Sequence, residues 1–183
     1  MDNKLAGKKV AIVVTDGFEQ SEFVKPLEAL KEQGATVDIV SLKKGTIKAW
    51  KEKNWGDEFE ATVAIGDAKS SAYDALVLPG GVMNPDTLRA DKNVVSFVKS
   101  FLQEDKPVAA ICHGPWTLIE TGLLKGRKVT SYHTLKTDLT NAGAQWVDQE
   151  VVVDNGLVTS RSPKDLDAFC KKMIEEIGEG VHS

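Results

Sequence analysis

The stretch Lys106-Pro107-Val108-Ala109-Ala110-Ile111-Cys112-His113-Gly114-Pro115-Trp116 decides the fold. Its first half is a short apolar run that reads as a buried strand, and Thr117 to Thr121 reads as a turn or two of helix ending at Gly122. A cysteine at a sharp strand-to-helix turn is placed for nucleophilic chemistry. The turn lifts the thiol out of the sheet, and a helix N-terminus offers unpaired N–H groups that favour thiolate. Gly114 lets backbone approach closely, and Pro115 suits the first helical position. The competing reading is a buried structural cysteine beside a capping histidine.

Outward from this turn the elements alternate. Val10–Val14 reads as a buried strand followed by a turn at Thr15-Asp16-Gly17. A helix is expected from about Gln20 to Gln33, with Phe23, Leu27 and Leu30 as its apolar stripe and Pro26 marking a kink or a late start. Thr36–Val40 is a second strand. Gly45–Trp50 and Glu58–Ile65 form a hairpin or edge excursion around a polar loop, Lys51–Asp57. Ala75–Pro79 is a strand ending at Gly80-Gly81, and Val94, Phe97, Val98, Phe101 and Leu102 make a helical stripe. Lys128–Ser131 is a short strand, and Leu135–Ala142 a helix. Val151–Thr159 is a hairpin turning at Asn155-Gly156. Ser162, Pro163 and Asp165 then open a last helix as N-cap, first and third residues, and it runs to about Gly178. The expected fold class is α/β: one three-layer αβα domain over residues 1–183, built on a mostly parallel sheet with a nucleophile elbow. Residues 179–183, including His182, are expected as a disordered tail.

The 183 residues carry 42% hydrophobic and 27% charged side chains, ordinary for a globular domain with a full core. A net charge of −4 argues against a nucleic-acid surface. There is no apolar run long enough for a membrane span and no apolar signal core near Met1, so the expected compartment is the cytoplasm. The two cysteines, Cys112 and Cys170, form no disulfide framework, and Cys170 falls on the apolar stripe of the last helix with Leu166, Met173 and Ile177. No phosphate-binding glycine motif and no zinc spacing among His113, His133 and His182 is present, so neither cofactor nor metal is expected.

In a parallel sheet, sites form at the carboxyl ends of strands. Three loops qualify there: Asp16-Gly17-Phe18-Glu19, Gly80-Gly81-Val82-Met83 and Cys112-His113-Gly114. If their strands are neighbours the loops meet. Cys112 then supplies a thiol, His113 lies beside it, and Gly80-Gly81 offers backbone N–H groups to an oxyanion or makes a plain tight turn. Glu19 supplies a carboxyl to the thiol or is a solvated first-turn acid. His133 lines the pocket or simply sits in a helix-entry loop.

The segments Asp16-Gly17-Phe18-Glu19, Leu78-Pro79-Gly80-Gly81, Ala110–Pro115, Gly143–Asp148 and Val158–Arg161, in this order, resemble the ThiJ/PfpI family of the class I glutamine amidotransferase-like superfamily. The resemblance is closest to the branch of intracellular cysteine proteases and general stress proteins. It implies a flavodoxin-like fold and a homodimer or larger assembly, with Trp50 and Trp55 suited to an interface. It also implies Cys112 as nucleophile, Glu19 as the carboxylate bonded to the thiol and His113 as the adjacent histidine. Gly81 and His113 would supply backbone N–H groups to the oxyanion, and Gly80, Gly114 and His133 are further candidates to line the oxyanion or substrate site. Asp86 is the nearest match to an acid that a neighbouring subunit contributes to the triad in that branch. No His-x-Glu pair is present, so ammonia release from glutamine is not expected. Three functions follow: a cofactor-free glyoxalase or deglycase acting on α-oxoaldehydes or glycated protein, a peptidase acting on unfolded protein, and a redox-sensing stress protein or holdase.

Overall fold

A computed structural model describes residues 3–180. Its strands are β1 (Lys9–Val13), β2 (Thr36–Ser41), β3 (Gly45–Lys51), β4 (Asn54–Ala61), β5 (Val63–Ala64), β6 (Ala75–Leu78), β7 (Val108–Ile111), β8 (Lys128–Val129), β9 (Gln145–Trp146), β10 (Val151–Asp154) and β11 (Leu157–Ser160). Its helices are α1 (Gln20–Glu32), α2 (Met83–Leu88), α3 (Lys92–Gln103), α4 (Pro115–Ile119), α5 (Lys136–Asn141) and α6 (Leu166–Glu179).

Seven strands form the main sheet in the order β10-β11-β7-β6-β1-β2-β5. All its pairings are parallel except that of β10 with β11, the expected Asn155-Gly156 hairpin. The central strands β6 and β7 are buried along their whole length, as apolar runs covered on both faces must be. Two apolar clusters flank the sheet. Phe97, Val98 and Phe101 of α3 pack on one face, while Phe23 and Leu30 of α1 and Phe169, Met173 and Ile177 of α6 pack on the other. The expected mostly parallel α/β sheet is therefore the fold. Because β1, β6 and β7 are adjacent, the three candidate loops do meet at one edge.

Four local expectations are corrected. Pro26 neither kinks nor delays α1, which runs unbroken through it. The excursion is a longer hairpin than the polar Lys51–Asp57 segment suggests. β3 and β4 pair as far as Lys51 and Asn54, leaving a two-residue turn in which Glu52 takes φ +59°. At the last helix Ser162 makes no side-chain cap; Pro163–Asp165 is a 3₁₀ turn, and the Asp165 carboxylate is claimed by Arg161. Finally, α6 extends through Glu179, so the expected tail holds for neither 179 nor 180, and residues 181–183 lie outside the described ones.

Candidate active site

The Pro107–Ile111 strand delivers Cys112 at a turn where its φ is +62°, the left-handed region that a cysteine enters only under constraint. The constraint is visible on both sides. Cys112 N–H donates to Ser160 of β11 at 3.0 Å, and the Cys112 carbonyl accepts from Tyr132 N–H at 2.9 Å. Gly114 N–H closes the turn onto Ile111 at 2.8 Å. The result is a nucleophile elbow, with a thiol only 7% exposed.

The carboxyl facing this thiol is Glu22, not Glu19. Glu22 lies one turn into α1 and is fully buried; its Oε1 accepts from Gly80 N–H at 3.1 Å. Its Oε2 has no partner, and its side chain interacts with the thiol. Glu19 is only half-buried at the helix N-cap, one turn nearer solvent. The three-residue offset is the helical period: α1 begins at Gln20 and turns Glu22 inward. The sequence reading did not single out Glu22; its helical spacing with Pro26 and Leu30 on the buried face of α1 is the signal that could have found it.

Burial, the charge of Glu19 and few compensating donors push the Glu22 carboxyl up to about 8, so it holds its proton at neutral pH. Burial also pushes the Cys112 thiol up, and an ionised Glu22 would push it further; the N–H groups of His113 and Gly81 pull it down. The expected thiolate-favouring helix end does not prevail, because α4 has only five residues and the thiol is buried. The pair therefore rests protonated at both members. His113 lies beside the thiol as expected, its Nδ1 3.3 Å from Cys112 Sγ. Its ring stacks on Tyr132 at 4.7 Å, and Nε2 is 3.5 Å from Thr134 Oγ1. Burial and the nearby His133 lower its pKa, leaving a neutral imidazole able to accept a proton.

The glycines divide by role. Gly80 N–H is spent on Glu22, and a Cβ there would stand 2.8 Å from the Cys112 Cβ and collide with Glu22 Oε1. Gly114 is spent on its own turn. Gly81, at φ +79°, is the one whose N–H reaches the thiol, together with that of His113. A residue missed in the sequence holds the loop in place. Buried Asn84 accepts from Thr15 N–H at 2.8 Å and donates to the carbonyls of Pro79 and Gly80.

Above this floor opens a cavity of about 450 Å³ lined by Gly17, Glu19, Glu22, Trp50, Glu52, Gly81, Val82, Met83, Cys112, His113, Tyr132 and Pro163. Trp50 and Glu52 come from the hairpin, which is docked by Trp50 N–H on Phe18 O at 2.7 Å and Gly17 N–H on Lys48 O at 2.8 Å. Two expected residues stand apart. His133 is exposed outside the cavity, its ring against the far side of Tyr132 at 4.5 Å. Asp86 is exposed on α2, a helix the sequence reading took for loop, and does not line the cavity of its own chain. Cys170 is half-buried at the margin of the α6 core, and burial pushes its thiol up to about 12. Among the described residues no cluster of metal-ligating side chains occurs, and no helix is long and apolar enough to cross a membrane.

The DJ-1/PfpI family model matches residues 8–176. The chain is 45% identical to YraA of Bacillus subtilis, which carries a cysteine-protease name, over 91% of this chain and 96% of that one. It is 42% identical to Deglycase TK1284 of Thermococcus kodakarensis, over 91% of this chain and 98% of that one. Among solved structures, a two-domain Anabaena variabilis protein with DJ-1/ThiJ/PfpI-like and ferritin-like domains superimposes with a TM-score of 0.88 at 37% identity. It covers 93% of this chain and 48% of that longer one.

Proposed function

The chain belongs to the DJ-1/PfpI family, and from that premise we propose that it is a cysteine-dependent glyoxalase or deglycase acting on α-oxoaldehydes or their adducts in the cytoplasm. The observation that carries this reading is the geometry of three side chains: Cys112 at a left-handed elbow, His113 Nδ1 3.3 Å from its Sγ, and buried Glu22 held beside it by Gly80 N–H at 3.1 Å.

Cys112 Sγ adds to the aldehyde carbon while its proton passes to His113 Nδ1. The carbonyl oxygen, gaining charge at the N–H groups of Gly81 and His113, takes that proton back and a hemithioacetal forms. His113 then removes the C–H proton at the same carbon as Glu22 gives its proton to the neighbouring ketone oxygen, making an enediol. Reprotonation of the second carbon by His113, with return of the hydroxyl proton to Glu22, yields a 2-hydroxyacyl thioester. Water cleaves it to the hydroxy acid and free Cys112. Nothing is oxidised overall; the aldehyde gains one water. An amine or thiol adduct follows the same route once its aldehyde is released to Cys112.

Peptide hydrolysis is the second reading, favoured by the relative's protease name. It needs His113 oriented to protonate an amine, and the atom near Nε2 within this chain is the Thr134 hydroxyl rather than a carboxylate. A second copy belongs to our reading as well: Val82 and Met83, 56% and 41% exposed at the cavity mouth, suit burial in a homodimer.

Methylglyoxal turnover to lactate, assayed beside casein cleavage, tests the reading. Cys112→Ser should lower lactate formation by about 10³-fold or more, whereas Cys170→Ser should not alter it. Casein cleavage lost in Cys112→Ser, with no lactate from the native protein, overturns the proposal in favour of the peptidase.

A further inference from the structure

Building on that reading, we propose that Glu19 and Glu52 form a carboxylate rim that selects positively charged substrates, holding a guanidinium or ammonium group while the reacting carbonyl lies at Cys112. The preferred substrates are then α-oxoaldehydes whose remainder carries a positive charge, over neutral and anionic ones.

Three carboxyl groups line the cavity, and no lysine or arginine does. Glu19 stands at the N-cap of α1 and Glu52 at the turn of the β3–β4 hairpin, and Trp50 ties them together. Its backbone bridges to Glu19 and its indole N–H donates to the Glu52 carbonyl at 2.9 Å. Neither carboxylate forms an ion pair among the described residues. Lys51 and Lys53 flank Glu52 in the chain but do not line the cavity.

Independent of the rim, the buried Glu22 turns into the same cavity with Oε2 unpartnered. Burial and then the Glu52 charge raise the pKa of Glu19, burial and then the Glu19 charge raise that of Glu22, and a bound cation relieves the like-charge part. Trp50 and Tyr132 add aromatic walls against which a guanidinium packs well. An anion meets repulsion at the Glu19–Glu52 rim.

Reagents that differ only in charge test this without requiring turnover. In a Cys170→Ser background, Cys112 is labelled with cationic trimethylammonium-ethyl, anionic sulfonatoethyl and neutral methyl methanethiosulfonates, the neutral rate serving as normaliser. The cation-to-anion rate ratio should exceed that of N-acetylcysteine amide by about tenfold or more, and should shrink in about 0.5 M salt. In the folded double variant Glu19→Gln/Glu52→Gln it should fall to within about threefold of the free thiol. Calorimetric binding of arginine amide, lost in the same variant, is the second measurement. A native ratio equal to that of the free thiol, or a high ratio surviving in the double variant, overturns the proposal. Charge selection without methylglyoxal conversion would remove the proposed reaction and leave the rim, and conversion without selection would do the reverse.

Discussion

The floor of the cavity and its rim are built on opposite terms. On the floor the groups that shape the turns are committed: Gly80 N–H to Glu22, Cys112 N–H to Ser160, Gly114 N–H to Ile111, and Asn84 to three backbone groups at once. No side chain can be added there without collision. At the rim, Glu19 is half-buried, Glu52 and Trp55 are exposed, and the two carboxylates form no ion pair among the described residues. The difference teaches that the reaction and the choice of substrate occupy separate structural layers. A change on the floor should cost activity or folding, and a change at the rim should alter preference.

Glu22→Gln strikes the floor hardest. It keeps the shape and a donor but removes the transferable proton, so kcat/KM for methylglyoxal should fall by about 10²-fold or more. Native activity should decline as pH rises past about 8, where Glu22 ionises, and the variant should lose that limb. Stability carries the same signature with a definite sign. The carboxyl is raised from 4.5 to about 8, so its contribution is complete below 4.5 and is lost as pH climbs toward 8. The melting temperature of Glu22→Gln relative to the native protein should therefore rise across that window; a flat difference would mean Glu22 titrates normally.

Gly80→Ala comes next. Its added methyl meets Cys112 and Glu22, and denaturant unfolding should show a loss of about 2 kcal/mol. Lys53→Ala, at the exposed hairpin turn, should stay within about 0.5 kcal/mol of the native value. Equal losses would erase the distinction between floor and rim. The smallest effect on turnover belongs to Asp86→Ala. Aldehyde chemistry has no amine to expel, so kcat/KM for methylglyoxal should stay within about tenfold, or ~1.4 kcal/mol. A larger fall would mean that Asp86 reaches His113 from a second copy.

Much of this organisation was legible in the chain. Apolar runs at β1, β6 and β7 announced buried parallel strands, and Cys112-His113-Gly114-Pro115 announced the elbow, because both signals are local. Choosing between Glu19 and Glu22 needed the rotation of α1 about its axis. That rotation is set by where Phe23 and Leu30 pack, not by the loop motif. Asn84 was invisible for a similar reason: its partners, Thr15 and Pro79, come together only when β1 and β6 pair. The hairpin's reach past Lys51 was hidden by its polarity, since a solvated ribbon has little need of apolar alternation.

Trp50 has an optical consequence. Of the four tryptophans, it alone lines the cavity, edge-on to Trp55 at 5.4 Å. Trp116 is engaged by Asp138 and by the Arg89 guanidinium and lies 6.0 Å, ring to ring, from His113, while Trp146 bonds Ser131 away from the cavity. The indole emission of this protein thus divides into Trp50 at the cavity with Trp55 against it, Trp116 beside His113, and Trp146 as an internal constant. Occupancy of the site can be followed by intrinsic fluorescence, with no dye and no coupled enzyme.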